Sequence, residues 1–401
     1  MISINYYIVT IILLQFFKPI LLAMDQNTNR FLSLDVFRGM TICFMIIVNT
    51  PGSGAAPFAP LEHAAWFGFT PTDLVFPSFL FAVGNAMSFS QKKFIGLGAG
   101  SVFFRIFKRA AIIFLLGYLM YWFPFVQHTK SGWSFAPISN TRIFGVLQRI
   151  GLCYLFASLL VYFVKSKTSV IIISILLLVG YQVLLLIFGD HAAPYGMLTN
   201  AGTYLDKALL GDAHLYHGEG VAFDPEGILS TLPAIVNVIC GYYAGKFIQE
   251  KGKGYETISK LMLYGALFIF IALCWNMSFP IAKKLWTSPF VLLTVGIDLL
   301  LISALIYVIE ILNWNKGNWT AFFTTVGKNP LPVYMFSELF VVILYIINVN
   351  GKTTFYGWIN QVFFQVIAPG AIGSLLFAIC YMLICWTFGK ILDKNKIYIR
   401  V

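Results

Sequence analysis

The 401-residue chain is 59% apolar and only 11% charged, and its mean hydropathy of +0.81 excludes a soluble globular protein. Charged side chains are costly in hydrocarbon, so we expect them in loops and at a few functional positions within the membrane. Basic loops that face the cytoplasm and anionic lipid account for the net charge of +11, and we predict no nucleic-acid partner.

Apolar stretches of spanning length recur along the chain, with polar segments between them. They predict an all-α fold, a polytopic membrane helix bundle of ten core transmembrane helices in the lipid bilayer. The predicted spans are residues 34–52, 73–90, 104–124, 143–164, 168–188, 227–248, 258–276, 289–312, 329–348 and 367–390. A further apolar run, 6–23, would be an eleventh span and would put the amino terminus outside.

The positions of Lys and Arg give the orientation of this bundle. With the start of the first core helix inside, basic residues at inner loops and ends outnumber those at outer loops by about three to one, and the alternation holds loop by loop. The carboxyl end is therefore predicted to be cytoplasmic. The outer loops contain Lys130, Arg142, Lys207, Lys283, Lys284 and Lys352.

Residues 1–30 form an N-terminal hydrophobic segment with a cytoplasmic lead-in, distinct from the rest of the chain. The segment lacks the basic start and cleavage pattern of a secretory signal. Met24 is an alternative start, because the residues that follow it have the composition of an ordinary cytoplasmic lead-in. Residues 31–401 show no long repeat and are predicted to form one transmembrane domain.

The six cysteines all fall inside apolar runs and lack the spacing of metal ligands. We predict that they are small buried side chains without disulfide bonds. They are Cys43, Cys153, Cys240, Cys274, Cys380 and Cys385.

The first outer loop carries the side chains best suited to catalysis. His63 can act as a base near neutral pH or take an acyl group itself. Asp73 can orient that imidazole, and Asn49 can donate a hydrogen bond to a developing oxyanion. The alternative is structural: His63 is then an interfacial histidine and Asp73 a helix N-cap.

Polar residues inside predicted spans form a second group. Arg38, Gln148 and Arg149 line a cavity or pair with other side chains, since such residues seldom face lipid. The basic run that ends at Arg109 can bind phosphate groups, although positive-inside composition alone would also produce it.

Outer-loop tryptophans and histidines are candidates for a sugar-binding site and a metal site. Trp66 and Trp286 can stack on sugar rings, yet interfacial tryptophans occur in any membrane protein. His214 and His217 lack additional ligands at zinc spacing, so we predict no metal site.

Several segments resemble the heparan-α-glucosaminide N-acetyltransferase family of membrane acetyltransferases. The likeness extends in order over residues 31–401. It rests on Ser33-Leu-Asp-Val-Phe-Arg38-Gly39, Asn49, His63-Ala-Ala-Trp66, Asp73-Leu-Val-Phe-Pro77, Gly145-Val-Leu-Gln148-Arg149, Phe223-Asp-Pro-Glu226-Gly227, Thr231-Leu-Pro233, Lys284-Leu-Trp286-Thr287 and Gly327-Lys-Asn329-Pro330. The chain resembles a bacterial relative without the luminal N-terminal domain, so a bacterial inner membrane is its expected location.

The resemblance implies that cytosolic acetyl-CoA donates an acetyl group to the amine of a terminal glucosamine-type sugar on the outer side. His63 matches the family's catalytic histidine, and Asn49 and Asp73 match further polar positions. His63 is then either transiently acetylated or the general base of a ternary complex. Arg38, Gln148 and Arg149 would line the thioester's path, and Arg109 would meet the nucleotide phosphates.

Two departures from the family concern the acceptor. Phe67 and Ala282 stand where the family pattern has asparagine. An amino sugar or glucosamine-ended oligosaccharide is the expected acceptor, and O-acetylation of a surface polysaccharide is an alternative reaction. A sugar transporter without chemistry is the alternative of another class, although the inverted repeats typical of transporters are not apparent. The sequence does not determine the oligomeric state and is compatible with a homodimer.

Overall fold

A computed structural model describes residues 31–129, 132–315, 318–349, 351 and 353–399. The apolar run 6–23 and the alternative start at Met24 lie outside the described residues. The regular secondary structure of the described part is almost entirely helical. Its helices, numbered in chain order, are α1 (Leu32–Asn49), α2 (Val75–Ser90), α3 (Ala99–Trp122), α4 (Val146–Phe163), α5 (Lys167–Phe188), α6 (Ala201–Leu210), α7 (Thr231–Lys251), α8 (Tyr255–Trp275), α9 (Ser288–Ile306), α10 (Asn318–Gly327), α11 (Pro330–Ile346), α12 (Phe355–Ile359), α13 (Gln365–Ile367) and α14 (Ala371–Lys394).

Each of the ten predicted spans coincides with one long helix to within six residues at either end. Among the described residues, six helices are long and apolar enough to cross a membrane alone: α1, α4, α5, α8, α9 with its continuation to Ile311, and α14. A bend of 78° separates α10 from α11, which together would make a seventh span. The all-α membrane fold is therefore confirmed, whereas the count of ten spans stays a prediction.

Small residues let the central helices approach closely. A Cβ atom on Gly84 of α2 would lie 2.0 Å from the carbonyl oxygen of Val238 in α7, and one on Gly241 of α7 would lie 2.0 Å from that of Phe81. Only glycine permits such backbone proximity, as is common between membrane helices. The α2–α7 pair is thereby a rigid support for the loop that precedes α2.

The cysteine prediction is correct in one part and wrong in another. All six cysteines are free, and Cys43, Cys153 and Cys385 are buried as predicted. Cys274 and Cys380 are exposed on the surface of the bundle instead. Both lie on helices that can span the membrane, where an exposed thiol of this kind faces lipid.

The loop that contains His63 lies at the end of the bundle where α1 ends and α2 begins, here called the outer end. Because successive long helices run in opposite directions, the segments 123–145, 189–230 and 276–287 lie at this end too. The first of these contains a short antiparallel hairpin, β1 (Val126–Thr129) and β2 (Gly132–Phe135). A second hairpin, β3 (Asn348–Val349) and β4 (Thr353–Thr354), follows α11.

Hydrogen bonds between its own residues order the long segment 189–230. The side chain of Asn200 accepts a hydrogen bond from the Thr203 N–H at 2.9 Å and so caps α6. The Asp206 carboxylate accepts from the Ile228 N–H at 2.9 Å, which fastens the end of the segment to α6. The segment is therefore a fixed wall beside the first outer loop.

Candidate active site

His63 and Asp73 form a hydrogen-bonded pair at the outer end. The Nδ1 atom of His63 lies 2.7 Å from Oδ1 of Asp73. The Asp73 side chain is 1% exposed, whereas that of His63 is 37% exposed. A buried carboxylate thus holds an imidazole whose other edge faces outward, which is the arrangement of an oriented base.

The turn before α2 fixes Asp73 in this position. Thr70 and Asp73 form a reciprocal capping box around a short 3₁₀ turn, Pro71–Leu74, with proline at its first position. The second carboxylate oxygen accepts from the Thr70 N–H at 3.0 Å and from the Ala64 N–H at 3.2 Å. Thr70 is the N-cap and Asp73 the N3 residue of this box, so the prediction of Asp73 as N-cap is wrong in its position. The carboxylate of Asp73 completes the capping box and also hydrogen-bonds His63.

The surroundings of Asp73 favour its ionised form. Burial raises the pKa of Asp73, but the hydrogen bonds from His63 and Thr70 and the charge of Lys283 oppose it, and the net pKa is below the ordinary value. An ionised carboxylate only accepts hydrogen bonds. The bond at Nδ1 therefore requires a proton on Nδ1, and the neutral ring then presents its lone pair at Nε2.

Lys283 is a third member of this cluster, and sequence reasoning missed it. Its Nζ atom lies 3.0 Å from Nε2 and 3.1 Å from Nδ1 of His63. Burial lowers the pKa of Lys283 to about 8, against the opposing charges of Asp73 and Glu226. The sequence did contain a sign of a functional lysine here: Lys283 and Lys284 are adjacent, whereas basic residues are otherwise rare on the outer loops.

Two hydrogen bonds join the His63 loop to the Lys283 loop. The Gly68 N–H donates to the carbonyl of Ile281 at 2.7 Å. Lys284 donates to the carbonyl of Ala65 at 2.9 Å and forms a salt bridge with Glu219 at 2.8 Å. Segments that are distant in sequence are thus fastened together within five residues of His63.

Asn49 does not contact the His63–Asp73 pair. It ends α1, and its side chain is hydrogen-bonded to Glu338 of α11. A role for Asn49 as oxyanion donor therefore has no support from a contact in this structure and stays a prediction.

The predicted donor-side residues Gln148 and Arg149 both lie in the first turn of α4 and are completely buried. Arg149 donates to the carbonyl of Gly227 at 3.1 Å and to the hydroxyl of Ser230, and its guanidinium lies 4.8 Å from the centre of the Trp286 ring. Its Nε and Nη1 atoms, and both polar atoms of the Gln148 side chain, have no partner within the described residues.

Arg109 and Arg38 have separate positions. Arg109 lies well inside α3, where its guanidinium stacks 4.5 Å from the centre of the Tyr154 ring of α4. Its Nε atom has no hydrogen-bond partner among the described residues. Arg38 of α1 pairs instead with Asp35 at 3.4 Å and with the carbonyl of Gly327. Arg109, Gln148 and Arg149 thus follow the α3–α4 pair, and Arg38 lies apart from them.

The two tryptophans differ in what they can contact. Trp66 is partly exposed; its indole N–H donates to the carbonyl of Tyr195 at 2.9 Å and its ring packs on Phe223. Trp286 is completely buried and donates to Oδ1 of Asn237 at 3.1 Å. The burial of Trp286 speaks against the predicted stacking on a sugar, since its ring has no accessible face.

The two residues that depart from the family pattern, Phe67 and Ala282, differ in their exposure. Phe67 is 50% exposed at the outer end, so it can contact an acceptor directly. Ala282 is completely buried, and its N–H donates to the hydroxyl of Thr287 at 3.1 Å. Only the substitution at Phe67 therefore changes an accessible surface beside His63.

A second charged cluster, also missed from the sequence, secures the wall of the site. Arg142 donates to both carboxylate oxygens of Asp224, at 2.9 Å and 2.7 Å, and also to Glu226. Burial raises the pKa of Asp224, and the hydrogen bond and charge of Arg142 act against this shift. These bonds hold the segment before α7, which also contacts Arg149 through Gly227.

The two loop histidines that suggested zinc bind backbone instead. Nδ1 of His214 lies 2.8 Å from the carbonyl of Thr141, and Nδ1 of His217 lies 3.0 Å from that of Leu215. Across the described residues, no three His, Cys, Asp or Glu side chains come together in a way that would hold a metal ion.

Comparison with known proteins finds one matching family model and similar curated proteins. A family model described as heparan-alpha-glucosaminide N-acetyltransferase, catalytic, matches residues 30–281, a range that includes His63, Asp73, Arg109 and Arg149. One similar curated protein is the heparan-alpha-glucosaminide N-acetyltransferase of Homo sapiens, which is 28% identical over 78% of this chain and 53% of its own length. The heparan-alpha-glucosaminide N-acetyltransferase of Mus musculus is 26% identical over 78% of this chain and 54% of its own length. The chain spans about half the length of these relatives.

Proposed function

The chain belongs to the heparan-alpha-glucosaminide N-acetyltransferase family, and on that premise we propose that it transfers an acetyl group from acetyl-CoA to the amine of a terminal glucosamine-type sugar. Acetyl-CoA approaches from the cytoplasmic side of a bacterial inner membrane, and the sugar binds at the outer end. The observation that carries this proposal is the 2.7 Å contact between His63 Nδ1 and Asp73 Oδ1.

The chemistry requires a base at this point. A sugar amine is protonated near neutral pH and must lose a proton before it can attack the thioester carbonyl. His63, oriented by Asp73, receives that proton at Nε2. The same Nε2 lone pair would serve as the nucleophile if His63 were transiently acetylated, which is the alternative mechanism.

The donor is held along the α3–α4 pair. The guanidinium of Arg109 would meet the phosphates of acetyl-CoA, by charge and by its forked donor geometry. Gln148 and Arg149, with buried polar atoms that lack partners within the described residues, would hydrogen-bond the amide groups of the pantetheine arm and the thioester. These residue types fit an acetyl-CoA molecule that threads from the inner side toward His63.

The acceptor is held between the first outer loop and the 189–230 segment. Trp66 and Phe67 offer aromatic surface to a sugar ring, and Phe67 replaces an amide of the family pattern. Loss of that amide would remove a hydrogen bond to the sugar while retaining apolar contact. We therefore propose an amino sugar or a short glucosamine-ended oligosaccharide as acceptor.

The test is an assay of purified protein in detergent. Acetyl-CoA and glucosamine are supplied, and free CoA and N-acetylated sugar are both measured for the wild type, His63→Ala and His217→Ala. His217 is an exposed outer-loop histidine outside the pair and provides the matched control. Product from the wild type and His217→Ala but not from His63→Ala is expected. Undiminished turnover by His63→Ala would refute the assignment, and acetylated hydroxyl in place of amine would change the acceptor class.

A further inference from the structure

The Nζ atom of Lys283 lies against the imidazole of His63, next to the position that an acceptor amine would occupy. It is a primary amine 3.0 Å from Nε2 of His63, the nitrogen that is free to receive a proton. Because Nζ is also 3.1 Å from Nδ1, it lies over the face of the ring rather than along the in-plane lone pair of Nε2. To be deprotonated there, the amine must move into the ring plane by rotation of the flexible lysine side chain. A sugar amine that uses His63 therefore competes with Lys283 for this space.

The loop around Lys283 holds it there. Tyr181 donates to the carbonyl of Leu285 at 2.6 Å, and Thr287 accepts from the Ala282 N–H. Trp286 is completely buried beside them. With anchors on both sides and the Gly68–Ile281 hydrogen bond across to the His63 loop, the side chain reaches His63 from a fixed backbone.

Charged groups on several segments face Lys283. Asp73, Glu226 and Glu219 favour its protonated form, Lys284 opposes it, and burial opposes it most strongly, so that the pKa falls to about 8. At pH 7 about one molecule in ten then has a neutral Lys283 amine, compared with about one in a few thousand for an ordinary lysine. The neutral amine is the nucleophilic form.

We propose that Lys283 is itself an acetyl acceptor: when no sugar amine lies beside His63, the enzyme transfers the acetyl group of acetyl-CoA to Lys283 Nζ. This inference rests on the proposed function, because it uses the same donor and the same base. It adds a covalent modification site that lies beyond the matched residues 30–281.

The step is balanced as an ordinary aminolysis of a thioester. The lone pair of neutral Nζ attacks the acetyl carbonyl, a C–N bond forms, and the C–S bond breaks. His63 Nε2 takes the proton from Nζ and returns it to the departing thiolate. The products are N-acetyllysine and free CoA, with no oxidant or further reactant.

Acetylation would remove the positive charge and the nucleophile beside His63 together. The resulting amide is bulkier than the amine and would remain in the acceptor position. A protein without its sugar would therefore lose activity slowly in the presence of acetyl-CoA, and the sugar would protect it.

Lys284 provides an internal control for this chemistry. It is the next residue and lies on the same loop, but its Nζ pairs with Glu219 and the Ala65 carbonyl rather than with His63. The lowered pKa of Lys283 would favour it over Lys284 even in uncatalysed acetylation. Loss of the label on Lys283 in His63→Ala, rather than the ratio between the two lysines, therefore identifies catalysis by the site.

The experiment incubates purified full-length protein with isotopically labelled acetyl-CoA, with and without glucosamine. Mass spectrometry then locates the label on Lys283, Lys284 or His63. The wild type, His63→Ala and Lys283→Arg are compared, and N-acetylglucosamine is measured in parallel samples. We expect at least tenfold more label on Lys283 than on Lys284, loss of that excess in His63→Ala, suppression by glucosamine, and an initial rate that rises with pH up to about 8.

Three results would overturn the inference. Labelling of Lys283 that is undiminished in His63→Ala would identify uncatalysed acetylation, whatever the labelling of Lys284. Label on His63 alone would identify an acetyl-imidazole and leave Lys283 without this role. Unlabelled Lys283 beside normal acetylation of glucosamine would overturn the inference and leave the proposed function intact, whereas neither product would overturn both.

Discussion

The backbone N–H of Gly68 donates a 2.7 Å hydrogen bond to the carbonyl of Ile281, so the loop that carries His63 and the loop that carries Lys283 share one rigid junction. Lys284 reinforces this junction through the carbonyl of Ala65 at 2.9 Å. Loops usually move more than the helices they connect. Here the fastening restricts both loops, as a preorganised catalytic group requires.

Replacement of Asp73 by asparagine should reduce kcat about a hundredfold or more. The amide has only one acceptor oxygen, whereas Asp73 accepts from His63 through one oxygen and from Thr70 and Ala64 through the other. The ring would lose its orientation or its Nδ1 proton. Steady-state sugar acetylation measures the effect.

Glu62→Gln is the matched control for Asp73→Asn, because Glu62 is an exposed carboxylate next to His63. It should keep kcat within about twofold of the wild type, as is usual for an exposed side chain without such contacts. An Asp73→Asn enzyme as active as Glu62→Gln would remove Asp73 from the catalytic group.

The sequence predicted the long helices, and it offered the His63–Asp73 pair beside a structural alternative, for physical reasons. Hydropathy follows directly from composition in each segment, and His63 and Asp73 are only ten positions apart in one loop. Lys283 lies 220 residues from His63, so its contact depends on how helices pack rather than on local spacing. Trp286 was predicted as a sugar-stacking residue from its place on an outer loop, but packing against α2, α7 and α9 buries its ring.

Replacement of Arg142 by methionine should destabilise the protein by about 3–5 kcal/mol. Arg142 neutralises Asp224, whose side chain is 0% exposed, and Glu226, whose side chain is 10% exposed. Methionine would leave both carboxylates buried without their cation. The midpoint of thermal unfolding in detergent measures the loss.

Lys207→Met is the control for Arg142→Met. Lys207 pairs with Asp212 at 3.7 Å, and the Asp212 side chain is 63% exposed. A pair of this kind contributes about 0–1 kcal/mol. Similar melting temperatures for the two variants would show that the Arg142 cluster does not support the fold in the way described.

Replacement of Arg109 by alanine should raise the apparent KM for acetyl-CoA about tenfold with a smaller effect on kcat, because the guanidinium is assigned to the donor phosphates. Lys108→Ala is the neighbouring control, since Lys108 is exposed on the same turn of α3. Initial rates at varied acetyl-CoA and saturating sugar measure both constants. Equal KM values for wild type and Arg109→Ala would exclude Arg109 from the donor site.

Replacement of Asp206 by asparagine should stabilise the protein above pH 6 and leave it little changed at pH 4. Burial raises the pKa of Asp206 to about 6, despite the hydrogen bond from the Ile228 N–H. In an unfolded chain the pKa of aspartate is about 3.9. Between these values the unfolded state has released the proton while the folded state keeps it, so stability falls as pH rises through this window and then levels off.

The side chain of asparagine does not titrate, and its carbonyl oxygen can still accept from the Ile228 N–H. The variant should therefore gain about 1–3 kcal/mol over the wild type at pH 7, since Asp206 is only 2% exposed. Thermal unfolding at pH 4, 5, 6 and 7 gives the difference, with the exposed Asp212→Asn as control. A difference that does not grow between pH 4 and 6 would mean that Asp206 ionises in the folded protein as it does in the unfolded chain.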